Sequence, residues 1–217
     1  MGRFDWLELP DLNNKNKAEE NAKAKDYPGR YDPEYCLQAA YKQFKEGDFL
    51  NALRDYSRAL HSDVNNLPAW IGQVKSLLKM NELTEAKVWC EKAQSLFPES
   101  EDLTAAKALL LSQSGLREYA LRFSDASLKG AGASFYPWLV RGEILLREGQ
   151  IEPAGLCFGK AQELEKDTAM INFGIGEAYF NNKRFSQAVE YFMKSLEEQP
   201  ANFFRWFMLV KAYVLPV

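Results

Sequence analysis

Five alanines recur at a constant interval of 34 residues: Ala52, Ala86, Ala120, Ala154 and Ala188. No insertion disturbs the interval, so the structure around one alanine has to be rebuilt at the other four. The residues before them are comparable: Phe49-Leu50-Asn51, Leu83-Thr84-Glu85, Ile151-Glu152-Pro153 and Phe185-Ser186-Gln187. Seven positions after each alanine stands another small residue: Ala59, Ala93, Ser127, Ala161 and Ser195. On a helix, that spacing puts both small residues on one face, two turns apart. Such a face admits another helix at close range.

The upstream half of each period repeats too. Trp70, Trp138 and Trp206 share one repeat position. Four residues on come Ala40, Val74, Ala108, Gly142, Gly176 and Val210. Three further on come Leu77, Leu111, Leu145, Tyr179 and Tyr213, with Gln43 as the exception. A large–small–large row at this spacing is the inner stripe of an amphipathic helix. Gly47, Gly115 and Gly149 punctuate the turn between the two helices, where Asn81 and Lys183 stand in the other periods. Pro98 and Pro200 close two periods. The pattern predicts an all-α chain of helix–turn–helix units.

This arrangement resembles the tetratricopeptide repeat: an early aromatic, a small residue four later, an alanine in the second helix and a closing proline. The resemblance runs from Pro33 to Val217, with full units beginning near Pro33, Leu67, Glu101, Phe135 and Ala169 and a sixth first helix at Phe203. It implies an α-solenoid, a right-handed superhelix of five hairpins plus one C-terminal helix. Residues 1–31 form an N-terminal extension and residues 32–217 the array. The third unit departs most. It has Thr104 for the aromatic, Arg117 in an apolar turn position, Ser124 in an aromatic slot and Gly130-Ala131-Gly132-Ala133 for the closing proline. It is the expected local weak point. Cys36, Gln43 and Asn172 also occupy core slots.

One hairpin cannot bury its own apolar face, so stacked neighbours bury it for each other and leave a long surface for binding. By resemblance, the first helices line a concave groove. The positions mapped to it are Leu37, Tyr41 and Phe44; Ile71, Lys75 and Leu78; Ala105, Leu109 and Ser112; Leu139, Glu143 and Leu146; Phe173, Glu177 and Phe180; and Phe207 with Lys211. Some members of the family clamp a C-terminal carboxylate with Lys and Asn, but Leu37 and Tyr41 stand at those places here. The apolar lining suits an amphipathic helix or an extended hydrophobic segment. The same residues could instead be core between units, or be covered by the chain's own termini. The tip Met1–Leu12, with Phe4 and Trp6, reads as a docking peptide for this groove or another protein, or as a disordered tail. The last helix carries Phe203, Phe204, Trp206 and Phe207, an apolar patch that should not stay in water. Another protomer, a partner, or continuation in a longer chain would cover it.

Composition narrows the function further. With 27 basic and 30 acidic residues the net charge is −3, which gives nucleic acid no electrostatic attraction. No apolar run approaches the ~20 residues of a membrane helix, and the start lacks a secretory pattern. Cys36, Cys90 and Cys157 are odd in number and not at CxxC spacing, so neither a disulfide framework nor a metal site is expected. The single histidine, His61, reads as a capping or solvated residue; Ser57 and Asp55 near it are expected on other faces. No nucleophile elbow, zinc-binding helix or phosphate loop appears. The expectation is a cytoplasmic, non-catalytic adaptor or assembly subunit with a protein partner, no cofactor and no membrane insertion. A chaperone for a hydrophobic client and a self-assembling subunit that oligomerises through the last helix are the alternatives.

Overall fold

The computed structural model describes Phe4, Leu7 and residues 32–130 and 134–215. Among these residues there are eleven helices and no strand. The chain divides into two compact units, Met1–Glu82 and Leu83–Val217. The first unit holds α1 (Pro33–Lys45), α2 (Phe49–Ser62) and α3 (Leu67–Lys79). The second holds α4 (Leu83–Leu96), α5 (Glu101–Gln113), α6 (Arg117–Ala126), α7 (Phe135–Arg147), α8 (Ile151–Leu164), α9 (Thr168–Asn181), α10 (Phe185–Glu198) and α11 (Phe203–Val214). Within each unit, helices adjacent in sequence pack as pairs: α1 on α2, α5 on α6, α7 on α8 and α9 on α10.

The helix starts obey the same interval. Asp32, Asn66, Ser100, Ser134 and Asn202, all in one register, cap first helices through side-chain oxygens. Each satisfies an amide that the first turn leaves without a helical partner. In the fifth repeat the cap moves back one residue, to Asp167, whose Oδ1 accepts from the Met170 amide at 2.9 Å. The turns also repeat. Gly47, Asn81, Gly115, Gly149 and Lys183, the five positions expected there, all have positive φ, from 58° to 80°. Glycine enters that region at no steric cost and asparagine tolerates it, whereas lysine is strained in it.

The small-residue stripe is the closest seam. Ala52, Ala59, Ala86, Ala93, Ala120, Ala154, Ala161, Ala188 and Ser195 are all fully buried. Across from it, a β-carbon on Gly142 would run into the Phe158 ring, and one on Gly176 into Phe192. First helix and second helix therefore trade volume: glycine in one makes room for phenylalanine in the other.

The departures from the repeat have partners of their own. Gln43 donates from Nε2 to Asp55 Oδ2 at 3.0 Å, and Asp55 is held on its other oxygen by Arg58 at 2.7 Å. Ser124, the polar residue in an aromatic slot, is fully buried and accepts from Arg141 Nη1 at 2.8 Å. Arg141 also pairs with Asp125 at 2.8 Å, so one guanidinium holds two neighbouring residues of that helix. The helix that carries Ser124, α6, has 10 residues, whereas α2, α4, α8 and α10 have 14 each. Residues 131–133 of the glycine–alanine run lie outside the described residues.

Candidate protein-binding surface

The residues mapped to the groove fall into three states. In the first unit, Tyr41 is exposed, Leu37, Phe44, Ile71 and Lys75 are half-buried, and Leu78 is buried. Leu37 and Tyr41 line a shallow cleft of about 260 Å³ with Glu34, Gln38, Tyr56 and Pro68. Phe44 is committed to the turn, its ring edge-on to Phe49 at 5.2 Å.

In the second unit, exposure changes along the first helices. On α5, Ala105, Leu109 and Ser112 are buried. On α7, Glu143 and Leu146 are buried and Leu139 is half-buried. A polar ladder ties these helices together. Arg147 Nη1 on α7 donates to Ser112 Oγ on α5 at 3.0 Å. Asn181 Nδ2 on α9 donates to Glu143 Oε1 at 3.0 Å, and Arg147 lies 3.9 Å from the same oxygen. Glu143 is thus engaged inside the stack, and its charge is matched there.

The accessible part lies on α9 and α11. Phe173, Glu177 and Phe180 on α9 are half-buried, while Phe207 and Lys211 on α11 are exposed. One side of each α9 ring is already packed. Phe173 lies 5.4 Å from Phe192 and 5.5 Å from Phe204; Phe180 lies 5.5 Å from Phe185. Lys211 Nζ sits 5.4 Å from the centre of the Phe180 ring and 6.0 Å from that of Phe207. A cation over two ring faces is electrostatically favourable and keeps the lysine on the surface beside the apolar strip. The result is a strip of aromatic surface with one carboxylate and one ammonium beside it.

Both ends of the sequence contribute. Phe4 and Leu7 are buried, Leu7 to 1% exposure, and the Leu7 amide donates to the Phe4 carbonyl at 2.8 Å. Trp6 lies outside the described residues. On α11, Phe204 is half-buried, whereas Phe203, Trp206 and Phe207 are exposed. Trp206 and Trp70 make equivalent bonds, from Nε1 to the carbonyl six residues upstream, at 2.8 Å in both cases.

Two features are not visible in the sequence pattern. Arg205 on α11 is buried to 1% exposure, at a position where Ile171 stands one repeat earlier. Its Nη1 donates to the Ser195 carbonyl at 3.3 Å, its guanidinium lies 5.6 Å from the Phe173 ring centre, and burial lowers its pKa. Only the register, which sets Arg205 against Ile171, could have flagged it. The second feature concerns His61. The expectation that Ser57 lies on a different face fails, because Ser57 is one helical turn away and the two meet: Nδ1 bonds the Ser57 carbonyl at 2.7 Å and lies 3.5 Å from its hydroxyl. Asp55 is turned away, toward Gln43 and Arg58. The bond to a carbonyl makes Nδ1 a donor, so it cannot serve as a base toward the hydroxyl.

A family model described as tetratricopeptide repeat matches residues 171–202, which include most of α9 and all of α10. Over residues 171–202 the chain carries a tetratricopeptide repeat. Solved structures agree on the fold. A tetratricopeptide repeat protein of Thermus thermophilus superposes with a TM-score of 0.63 at 18% identity, covering 85% of this chain and 100% of that one. The Cut9–Hcn1 hetero-tetramer of the APC/C gives 0.57 at 19%, covering 91% of this chain and 39% of that one. The human IFIT1 dimer with m7Gppp-AAAA gives 0.62 at 17%, covering 91% and 51%. This chain therefore spans all of the first relative but about half or less of the other two. No curated protein matches by sequence. Repeats of this kind serve in general as protein-interaction scaffolds. Among the described residues no helix is long and apolar enough to cross a membrane.

Proposed function

We propose that the chain is a non-catalytic, cytoplasmic adaptor or assembly subunit. In this reading it binds a hydrophobic protein segment, an amphipathic helix or an extended strand, on the first-helix face of α9 and α11. The observation that carries the reading is the half-open aromatic strip of Phe173, Phe180 and Phe207 with Glu177 and Lys211 beside it. Rings supply burial energy at low entropic cost, and the two opposite charges fix the direction of the segment. In the first unit, Leu37, Tyr41, Ile71 and Lys75 are mapped positions that stay at least partly accessible. Glu143 and Leu109 act in this reading as the floor that holds the helices of the second unit, not as contacts, and Leu78 does the same within the first. The net charge of −3 favours a protein over the capped RNA present in the IFIT1 structure.

Phe173 and Phe180 also hold α9 to its neighbours, so charging them would unfold the site. The better test is a double variant, Glu177→Lys with Phe207→Ala, used beside the wild type as bait in native lysate. A partner kept by the wild type and lost by the folded variant supports the strip. Retention of the same partners by both sinks it.

A further inference from the structure

Phe4 and Leu7 are buried to 8% and 1% exposure, although both lie outside the repeats. The Leu7 amide donates to the Phe4 carbonyl at 2.8 Å, closing a tight turn. Side chains three apart on such a turn lie over one another, so the pair enters a surface from one side. Both belong to the compact unit Met1–Glu82, whose described helices are α1, α2 and α3. The outward stripe of α2, Asn51, Arg54, Arg58 and His61, is exposed and wholly polar, so it offers no apolar seat. On α1, Tyr41 is exposed and the cleft it shares with Leu37 is open. On α3 the same register positions are more covered. Lys75 is half-buried where Tyr41 is exposed, and Leu78 is 3% exposed where Phe44 is half-buried.

Charge selects the same helix. Residues 4–12 carry Asp5, Glu8 and Asp11 and no basic residue. α3 carries Lys75 and Lys79, one turn apart on the face that holds Ile71 and Leu78, and no acidic residue. Both lysines engage further groups, and so does Phe4. An acidic segment laid over that face meets unlike charge while its apolar pair is buried. We propose that the α3 face of Ile71, Lys75 and Leu78 is a docking surface for an acidic segment with two apolar residues three apart, and that this chain's own N-terminal segment occupies it through Phe4 and Leu7. The tether is long enough: residues 8–31 number 24 and span ~36 Å even as a helix, whereas the 13-residue α3 is ~20 Å long. A ligand tethered this way acts at an effective concentration on the order of a millimolar, so the face is closed to weak ligands. A partner enters only by presenting the same acidic and apolar pattern and displacing the tip. The site is on a different helix from the α9–α11 strip and does not depend on it.

Crosslinking in the full chain tests the seat without removing its occupant. With Lys79, an exposed residue, replaced by benzoylphenylalanine, irradiation should join α3 to residues 1–12 of the same molecule, at a yield independent of protein concentration. Crosslinks that miss those residues, or that join two molecules in proportion to concentration, overturn the proposal. Binding tests the chemistry. The probe is a labelled peptide of residues 1–12, and the full-length Phe4→Ser/Leu7→Ser chain, checked for native helicity, presents the open face. This chain should bind the peptide at least tenfold tighter than the wild type does. Adding Lys75→Glu/Lys79→Glu should weaken binding at least tenfold, and a peptide with Asp5, Glu8 and Asp11 changed to Lys should bind that reversed chain again. Equal binding by the wild type and the opened chain, or indifference to the lysine reversal, overturns the proposal. If the opened chain loses its helices, the crosslink decides.

Discussion

Lys183 and Gly149 occupy the same turn position, with φ of 58° and 77°. A β-carbon at Gly149 would meet no atom within 4 Å, so only backbone strain opposes one there. Gly149→Ala should therefore cost about 1 kcal/mol, and Lys183→Gly should recover a similar amount less the entropy glycine loses on folding. Chemical denaturation of the two variants checks both signs; a neutral Gly149→Ala would mean that the turn relaxes. Cysteine behaviour is set residue by residue as well. Burial pushes the Cys90 thiol to about 11 and raises those of Cys36 and Cys157. Since the thiolate is the reactive form, a raised pKa starves the reaction at pH 8. For Cys90 the thiolate fraction falls at least about a hundredfold below that of a free cysteine. Labelling by a thiol reagent should accordingly be slow in the native protein and complete on denaturation. Fast native labelling would show that the thiols open to solvent.

At the scale of the element, α6 is the place to look for loosening. It has 10 residues and no side-chain cap, and its buried face contains Ser124 in place of a ring. What holds it is Arg141, which reaches both Ser124 and Asp125. Arg141→Leu removes both contacts and should cost about 1 kcal/mol, because the buried Ser124 hydroxyl loses its donor but keeps its bond to the Leu121 carbonyl at 2.9 Å. Hydrogen exchange should show α6 amides opening first in the wild type and faster still in the variant; protection equal to that of α8 would refute the assignment. The repeat made the departure legible: five in-register periods expose any residue that breaks the pattern. The repair was not legible. Nothing in the spacing of 17 residues between Ser124 and Arg141 announces a bond, because it depends on how α7 packs beside α6. The same holds for Gln43 and Asp55. A period reveals which positions face inward, but the partner of an inward polar group is a tertiary fact.

For the molecule as a whole, periodicity specified the element order, the turn positions and the buried alanine stripe, since those depend on contacts within a repeat. It does not specify which of the mapped positions stay accessible. Residues placed in one groove by register, such as Leu109, Glu143 and Phe207, prove to be buried, internally bonded and exposed respectively, because exposure depends on what the rest of the chain lays over each helix. The N-terminal tip shows the same dependence. Its composition suited a docking segment and a loose tail equally, yet Leu7 is as buried as Leu60, a core residue of α2. Repeat arrays gain stability from near neighbours, so the loss of one contact should be felt locally. Leu7→Ser removes a buried apolar side chain at a cost of about 2 kcal/mol, the lower end for such sites because a short segment can detach without unfolding the helices. Hydrogen exchange in α1 and α2 should then accelerate about tenfold or more, while α7 to α10 keep their wild-type protection. Unchanged exchange in the first unit would mean that the tip covers nothing those helices need. Acceleration in the second unit as well would mean that the tip supports helices beyond the unit it belongs to.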